Sequence, residues 1–107
     1  MQQVKIGQRQ LEEQAEYSRN MMQVQVSTAR QQMLAARESM LASREGESMA
    51  RQGVAIARTR FSAGAGTLLE LNDAEMALTQ ASLNYHKAQY SFVLAYVRYM
   101  QLRGDEA

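Results

Sequence analysis

The sequence predicts an all-α fold, a long antiparallel helical hairpin of the coiled-coil kind. Three observations predict it. The 107-residue chain has no Pro and is rich in Gln, Ala, Met, Arg, Glu and Leu, which favour helix. Apolar residues recur at alternating spacings of three and four along both halves. Between the halves lies "RFSAGAGTLLELNDAEMAL", residues 60 to 78, where Ala63, Gly64, Ala65 and Gly66 interrupt the helical pattern. One helix is expected over about residues 3–62, a tip over 63–67 and a second helix over about 68–103. All 107 residues then form a single hairpin domain.

In the first helix, Val26, Ala29, Met33, Ala36, Met40 and Ser43 make a stripe that Ala50, Val54, Ala57 and Phe61 continue. Such a stripe is the a/d seam of a coiled coil. Glu47 interrupts it at an a position and is expected to face solvent or an arginine. Arg30, Arg37, Arg44, Arg51 and Arg58 stand one heptad apart at position e. Ser39, Gly46 and Gly53 share position g. Glycine inside a helix costs about 1 kcal/mol relative to Ala, so two at one heptad position either form a packing groove or are merely tolerated. Leu34, Leu41, Met49 and Ile56 form a second apolar face. Upstream the pattern is weaker, with Leu11, Ala15, Ser18 and Met22 at helical spacing and Gly7 marking a possible frayed start.

The second helix carries the cleaner stripe. Leu71, Ala74, Leu78, Ala81, Tyr85, Ala88, Phe92, Ala95, Tyr99 and Leu102 alternate at three and four residues. Large residues fall at a and Ala at d until the last turn, an alternation that lets two helices approach closely. Leu69, Met76, Leu83, Tyr90 and Val97 recur every seven residues at position f, which faces water in a simple two-helix coiled coil. This helix is therefore expected to touch neighbours on two sides.

The break between the helices reads as a reversal. Gly64 stands where a left-handed residue ends a helix, and Gly66 is a second permissive joint. Thr67-Leu68-Leu69-Glu70 has the form of a capping box. In such a box the Thr67 hydroxyl accepts from the Glu70 amide and the Glu70 carboxylate reaches back to the Thr67 amide. Asp73 and Glu75 add negative charge near the positive end of the new helix. Antiparallel pairing about this turn sets Arg58 by Glu75, and Arg37 by the face of Tyr96.

Composition excludes several functions. The net charge of +1 gives no electrostatic case for nucleic acid. With no Cys and a lone His86, no zinc-site pattern exists, and no cofactor is expected. The eight Met residues read as seam fillers rather than metal ligands. Glu70, Asp73 and Glu75 are explained by their helix start, so no catalytic constellation remains and an enzyme is not expected. No stretch approaches the roughly 18 apolar residues of a membrane-spanning helix. The first residues, "MQQVKIGQRQ", lack the apolar core of a signal peptide, so an exported parent would make this chain a fragment of it.

The run Phe61-x-x-Gly64-x-x-Thr67-x-x-Glu70-Leu71-x-Asp73-Ala74 resembles the tip motif of the TolC family of outer-membrane efflux proteins. The likeness continues through "ALTQASLNYHKAQYSFVLAYVRYMQL" and its closing Arg103-Gly104. It is good over residues 26–104 and most specific over 60–95; the first 25 residues fit only as generic long helix. The resemblance implies a hairpin of the periplasmic α-barrel, from the C-terminal repeat of a homotrimeric duct, with Gly104 near the equator of the tunnel. It implies a passive export conduit in the periplasm. Its tip would dock a periplasmic adaptor and, through it, an inner-membrane pump. The residues assigned to docking are Phe61, Ala63, Gly64, Ala65, Gly66, Thr67, Leu68 and Leu69. Thr67 and Glu70 are assigned to helix capping. The alternatives are the hairpin of a periplasmic adaptor, or a soluble coiled-coil scaffold. Taken alone, the hairpin buries little, and it is expected to self-associate as an antiparallel dimer or four-helix bundle.

Overall fold

The computed structural model describes residues 2–106, and side chains from residue 6 to residue 104. Met1 and Ala107, the ends of the expected domain, lie outside the described residues. The chain forms α1, Gln2–Ser62, and α2, Leu68–Glu106, with no strand among the described residues. The two helices run antiparallel in a rod of 94 × 18 × 13 Å. At about 1.5 Å per residue, 61 residues of α1 account for that whole length, whereas 39 residues of α2 reach about three-fifths of it.

Both helices run unbroken because nothing in them forces a break. Proline is absent, and Gly7, Gly46, Gly53 and Gly104 all sit within helix. α1 begins at Gln2 and continues through Gly7. α2 likewise runs past the expected end near residue 103, through Gly104 to Glu106.

The seam follows the a/d stripes. Every one of the ten seam residues of α2, from Leu71 to Leu102, is half-buried. On α1 the partly covered positions are Val26, Met33, Ala36, Met40, Ser43, Ala50 and Ala57, and Ala29 and Val54 are buried outright. Phe61 differs from the rest of its stripe. It stays 42% exposed because the helices part at the tip just beyond it. Arg58 lies beside Glu75, as expected, with Nη2 3.6 Å from Oε1. Ala29 and Leu102 line one groove at the other end of the pair. These two points set the register: paired residue numbers add to about 131–133, so a seam residue of α1 has its approximate level on α2 by subtraction.

Glu47 sits at the level of Tyr85. Its carboxylate accepts a hydrogen bond from Arg51 at 2.9 Å, one turn along α1, while its side chain is only 14% exposed. An acid in the seam is thus compensated locally by one arginine of the ladder. The expected pairing of Arg37 with Tyr96 is not formed. Tyr96 instead has its ring 6.2 Å from that of Phe92, one turn back on the same helix, where i and i+4 side chains meet. Of the two readings of Gly46 and Gly53, a packing groove is not filled within the chain. A methyl group added at either would meet nothing within 4 Å.

One interface leaves most of the apolar surface uncovered. The chain exposes 8679 Å². A compact monomer of 12.1 kDa exposes about 6,000 Å², so roughly 2,700 Å² is in excess. Leu69, Met76, Leu83, Tyr90 and Val97, the f stripe of α2, are all exposed, as are Leu34, Leu41, Met49 and Ile56 on α1.

The register makes a direct prediction. With no native Cys, the pair Ala57→Cys and Ala74→Cys should form a disulfide within one chain under mild oxidation. The pair Ala29→Cys and Ala74→Cys, roughly 40 Å apart along the rod, should not. Gel mobility with and without reductant reads both, and crosslinking of the second pair alone rejects the hairpin.

Candidate functional site

The tip is built by a helix stop, a one-residue left-handed joint and a capped restart. Gly64 has φ of 76°, a conformation that L side chains resist. The last carbonyls of α1 find donors by folding the chain back. Gly64 N–H donates to Phe61 O at 3.1 Å, and Ala65 N–H donates to Arg60 O at 2.9 Å. That pair of bonds is the Schellman motif, with Gly64 at its left-handed position. Arg60 O accepts a second bond from Gly66 N–H at 3.0 Å. A carbonyl has two lone pairs, and both are used here.

The restart is capped on one side only. Thr67 Oγ1 accepts from Glu70 N–H at 3.1 Å, and Thr67 O accepts from Leu71 N–H at 3.2 Å as the first bond of α2. The reciprocal half of the expected capping box is not made. Glu70 Oε2 turns toward Arg60 Nη2, 3.9 Å away, instead of reaching the Thr67 amide. At that distance, and with both side chains exposed, the pair is a screened ion pair rather than a hydrogen bond. The Arg60 guanidinium also donates to Ala65 O at 3.5 Å.

Arg60 is therefore the hub of the tip, a role that the heptad reading does not assign. Its carbonyl holds two loop amides, its guanidinium spans Ala65 and Glu70, and its Cβ lies beneath Gly66. A Cβ added at Gly66 would stand 3.1 Å from Arg60 Cβ and 3.1 Å from Glu70 Oε2. A side chain at Gly66 would thus crowd a contact inside the chain. The usable signal was an arginine in the last turn of a helix, beside carbonyls that need donors.

The remaining tip residues face outward. Ala63, Gly64, Ala65 and Thr67 are exposed, Leu68 is 56% and Leu69 69% exposed, and Gly66 alone is half-buried. All eight residues assigned to docking are brought together by the reversal, with Leu68 and Leu69 opening α2 beside the loop. On the flank of α1, Ala55, Ile56, Thr59 and Arg60 line a shallow open groove. The charges here are mixed: Arg58 with Glu75 and Arg60 with Glu70 are the cross-tip pairs, and both are exposed.

Elsewhere the candidate side chains do not converge. Among the described residues no three His, Cys, Asp or Glu side chains gather as a metal site. His86 is exposed, stacks on neighbouring Tyr85 and lies 3.3 Å from Gln89 Oε1. The arginine ladder is exposed along its length, with Arg51 and Arg58 paired to carboxylates. No helix among the described residues is long and apolar enough to cross a membrane. Compared with family models, with curated proteins and with solved structures, the chain matches none.

The geometry ranks substitutions at the tip. Gly64→Ala should cost about 1–2 kcal/mol, because it forces a Cβ into the left-handed region. Thr67→Ala should cost about 1 kcal/mol through loss of the cap. Arg60→Ala removes only exposed, screened contacts and should cost about 0.5 kcal/mol or less. Chemical denaturation of the three variants at one protein concentration checks the order. A Gly64→Ala variant as stable as the parent would contradict the left-handed joint.

Proposed function

We propose that this chain is a wall element of a periplasmic exit duct resembling the TolC family, and that its tip docks a periplasmic adaptor of a tripartite efflux pump. The observation that carries the proposal is the combination of one covered stripe and one uncovered apolar stripe on each helix, running to a small, apolar tip. A helix that lines a cylinder wall has neighbours on two sides, and these helices present apolar surface on two sides. A solvated coiled coil needs only one such stripe. The length of the rod, 94 Å, suits a conduit element better than a compact binding module.

The duct would be a homotrimer in which the uncovered stripes meet neighbouring hairpins. Conduction through it would be passive. Ala63 and Ala65 let another helix tip come close, while Leu68 and Leu69 supply apolar contact. Gly66 also contributes to the tip's shape through its packing on Arg60. Opening would follow from the way adaptor tips pack between these hairpins.

The test separates docking from folding. Ala65→Leu, placed in the full-length protein, adds bulk at an exposed position outside the Arg60 hub. The variant should fold, assemble and reach its membrane, yet lose export and bind adaptor at least tenfold more weakly. Leu69→Gln should share that defect, whereas Arg44→Ala on the exposed ladder should not. Normal drug resistance with Leu at position 65 would overturn the docking role.

A further inference from the structure

The seam leaves the hairpin with two edges of opposite character. The e positions of both helices share one edge, as Arg58 beside Glu75 shows, and the g positions share the other. The middle of the g edge is small and neutral, with Ser39, Gly46 and Gly53 across from Ser91, Asn84 and Ala77. Along the e edge run Arg30, Arg37, Arg44, Arg51 and Arg58 of α1, and the register brings Arg103 of α2 level with Arg30. Half of the chain's 12 basic residues thus stand on one edge, while Glu75 is the one acid at an e position of α2. The net charge of +1 hides this segregation.

The half of that edge farther from the tip is uncompensated. Among the described residues Arg51 pairs with Glu47 and Arg58 with Glu75, whereas Arg30, Arg37 and Arg44 enter no ion pair. All three are exposed. Apolar residues flank them. Leu34 and Leu41, at the neighbouring b positions, are 42% and 47% exposed, and Tyr96, level with Arg37 across the edge, is 46% exposed. Both helices border this stretch, which makes it a groove of the pair.

We infer that this edge docks an acidic helix of another protein, laid along the groove between α1 and α2. Spacing selects that partner. Successive arginines stand one heptad apart, about 10.5 Å. That exceeds the screening length of about 8 Å at physiological salt. A small anion therefore meets one exposed guanidinium at a time, and a single screened contact is weak. A helix with Asp or Glu once per heptad repeats at the same interval and engages several arginines together. Charges beside the seam set partner choice in coiled coils, and Arg–carboxylate pairs are frequently bidentate. Leu34, Leu41 and Tyr96 would take the apolar side of such a helix. They offer nothing to a phosphate backbone, and the exposed Glu38 and Glu45 beside them would repel one. A second copy turned to the same edge would set arginine against arginine. Docking here is independent of the duct assignment, since Arg44 lies about 30 Å from Gly64 along the rod.

The test titrates the 107-residue chain into a labelled four-heptad peptide with Leu at a and d and Glu at e and g, whose self-pairing its own charges oppose. Fluorescence anisotropy in about 50 mM salt should show saturable binding, weakened at least tenfold in about 500 mM salt. Arg30→Gln, Arg37→Gln and Arg44→Gln together should weaken it at least tenfold. Arg9→Gln, Arg19→Gln and Arg98→Gln remove the same charge from other exposed places and should change it less than about twofold. Helix content and the Ala57–Ala74 crosslink should survive both sets. Disordered poly-glutamate and heparin should each bind at least tenfold more weakly than the peptide. No binding of the peptide in about 50 mM salt overturns the inference. So does an equal loss in the two triple variants, or poly-glutamate or heparin binding as tightly as the peptide.

Discussion

Two helices share only one interface, and the rest of this structure depends on that constraint. Each helix can hide a single stripe against the other, whatever the composition of its remaining surface. The seam is consequently thin. Among the described residues only Ala29 and Val54 are buried outright, and no side chain is completely enclosed. Alternation of large and small residues on α2 brings the helices close enough for that seam to exist. It cannot thicken the seam, because a third layer of side chains would need a third helix.

The tip resolves the complementary problem, that of backbone groups rather than apolar area. A helix end leaves carbonyls without donors and a helix start leaves amides without acceptors. In this chain the two sets are served within a few residues of each other. The Arg60 and Phe61 carbonyls take the amides of Gly64, Ala65 and Gly66, and Thr67 covers the Glu70 amide. The tip is thereby closed by its own hydrogen bonds, and its outward apolar atoms are not needed to hold it. That separation of turn chemistry from tip surface is what makes Ala65, Leu68 and Leu69 available for contact with something else.

Much of this was legible in the sequence, for physical reasons that differ by element. The seam was legible because a heptad repeat over several turns marks one face of a helix for burial, and Leu71 through Leu102 obey it without exception. The left-handed joint at Gly64 and the Thr67 cap were legible because few residues satisfy those backbone demands. Side-chain choices that depend on competition were not. Glu70 lies by Arg60 instead of the Thr67 amide, and Tyr96 by Phe92 instead of Arg37. Gly66 illustrates a third case: the Arg60 stem beneath it would crowd an added side chain, a contact that no pattern in the sequence announces. The small positions Gly46 and Gly53 meet nothing in the chain, so what they accommodate was not legible in sequence or hairpin.

The central claim is that one seam is too little and that the uncovered apolar surface completes the fold by association. Thermal unfolding of the chain followed by circular dichroism over a hundredfold range of concentration tests it most directly. Folding coupled to association predicts a midpoint that rises steadily with concentration. A sharp transition whose midpoint is the same at every concentration, from a species that sediments as a monomer, would contradict it.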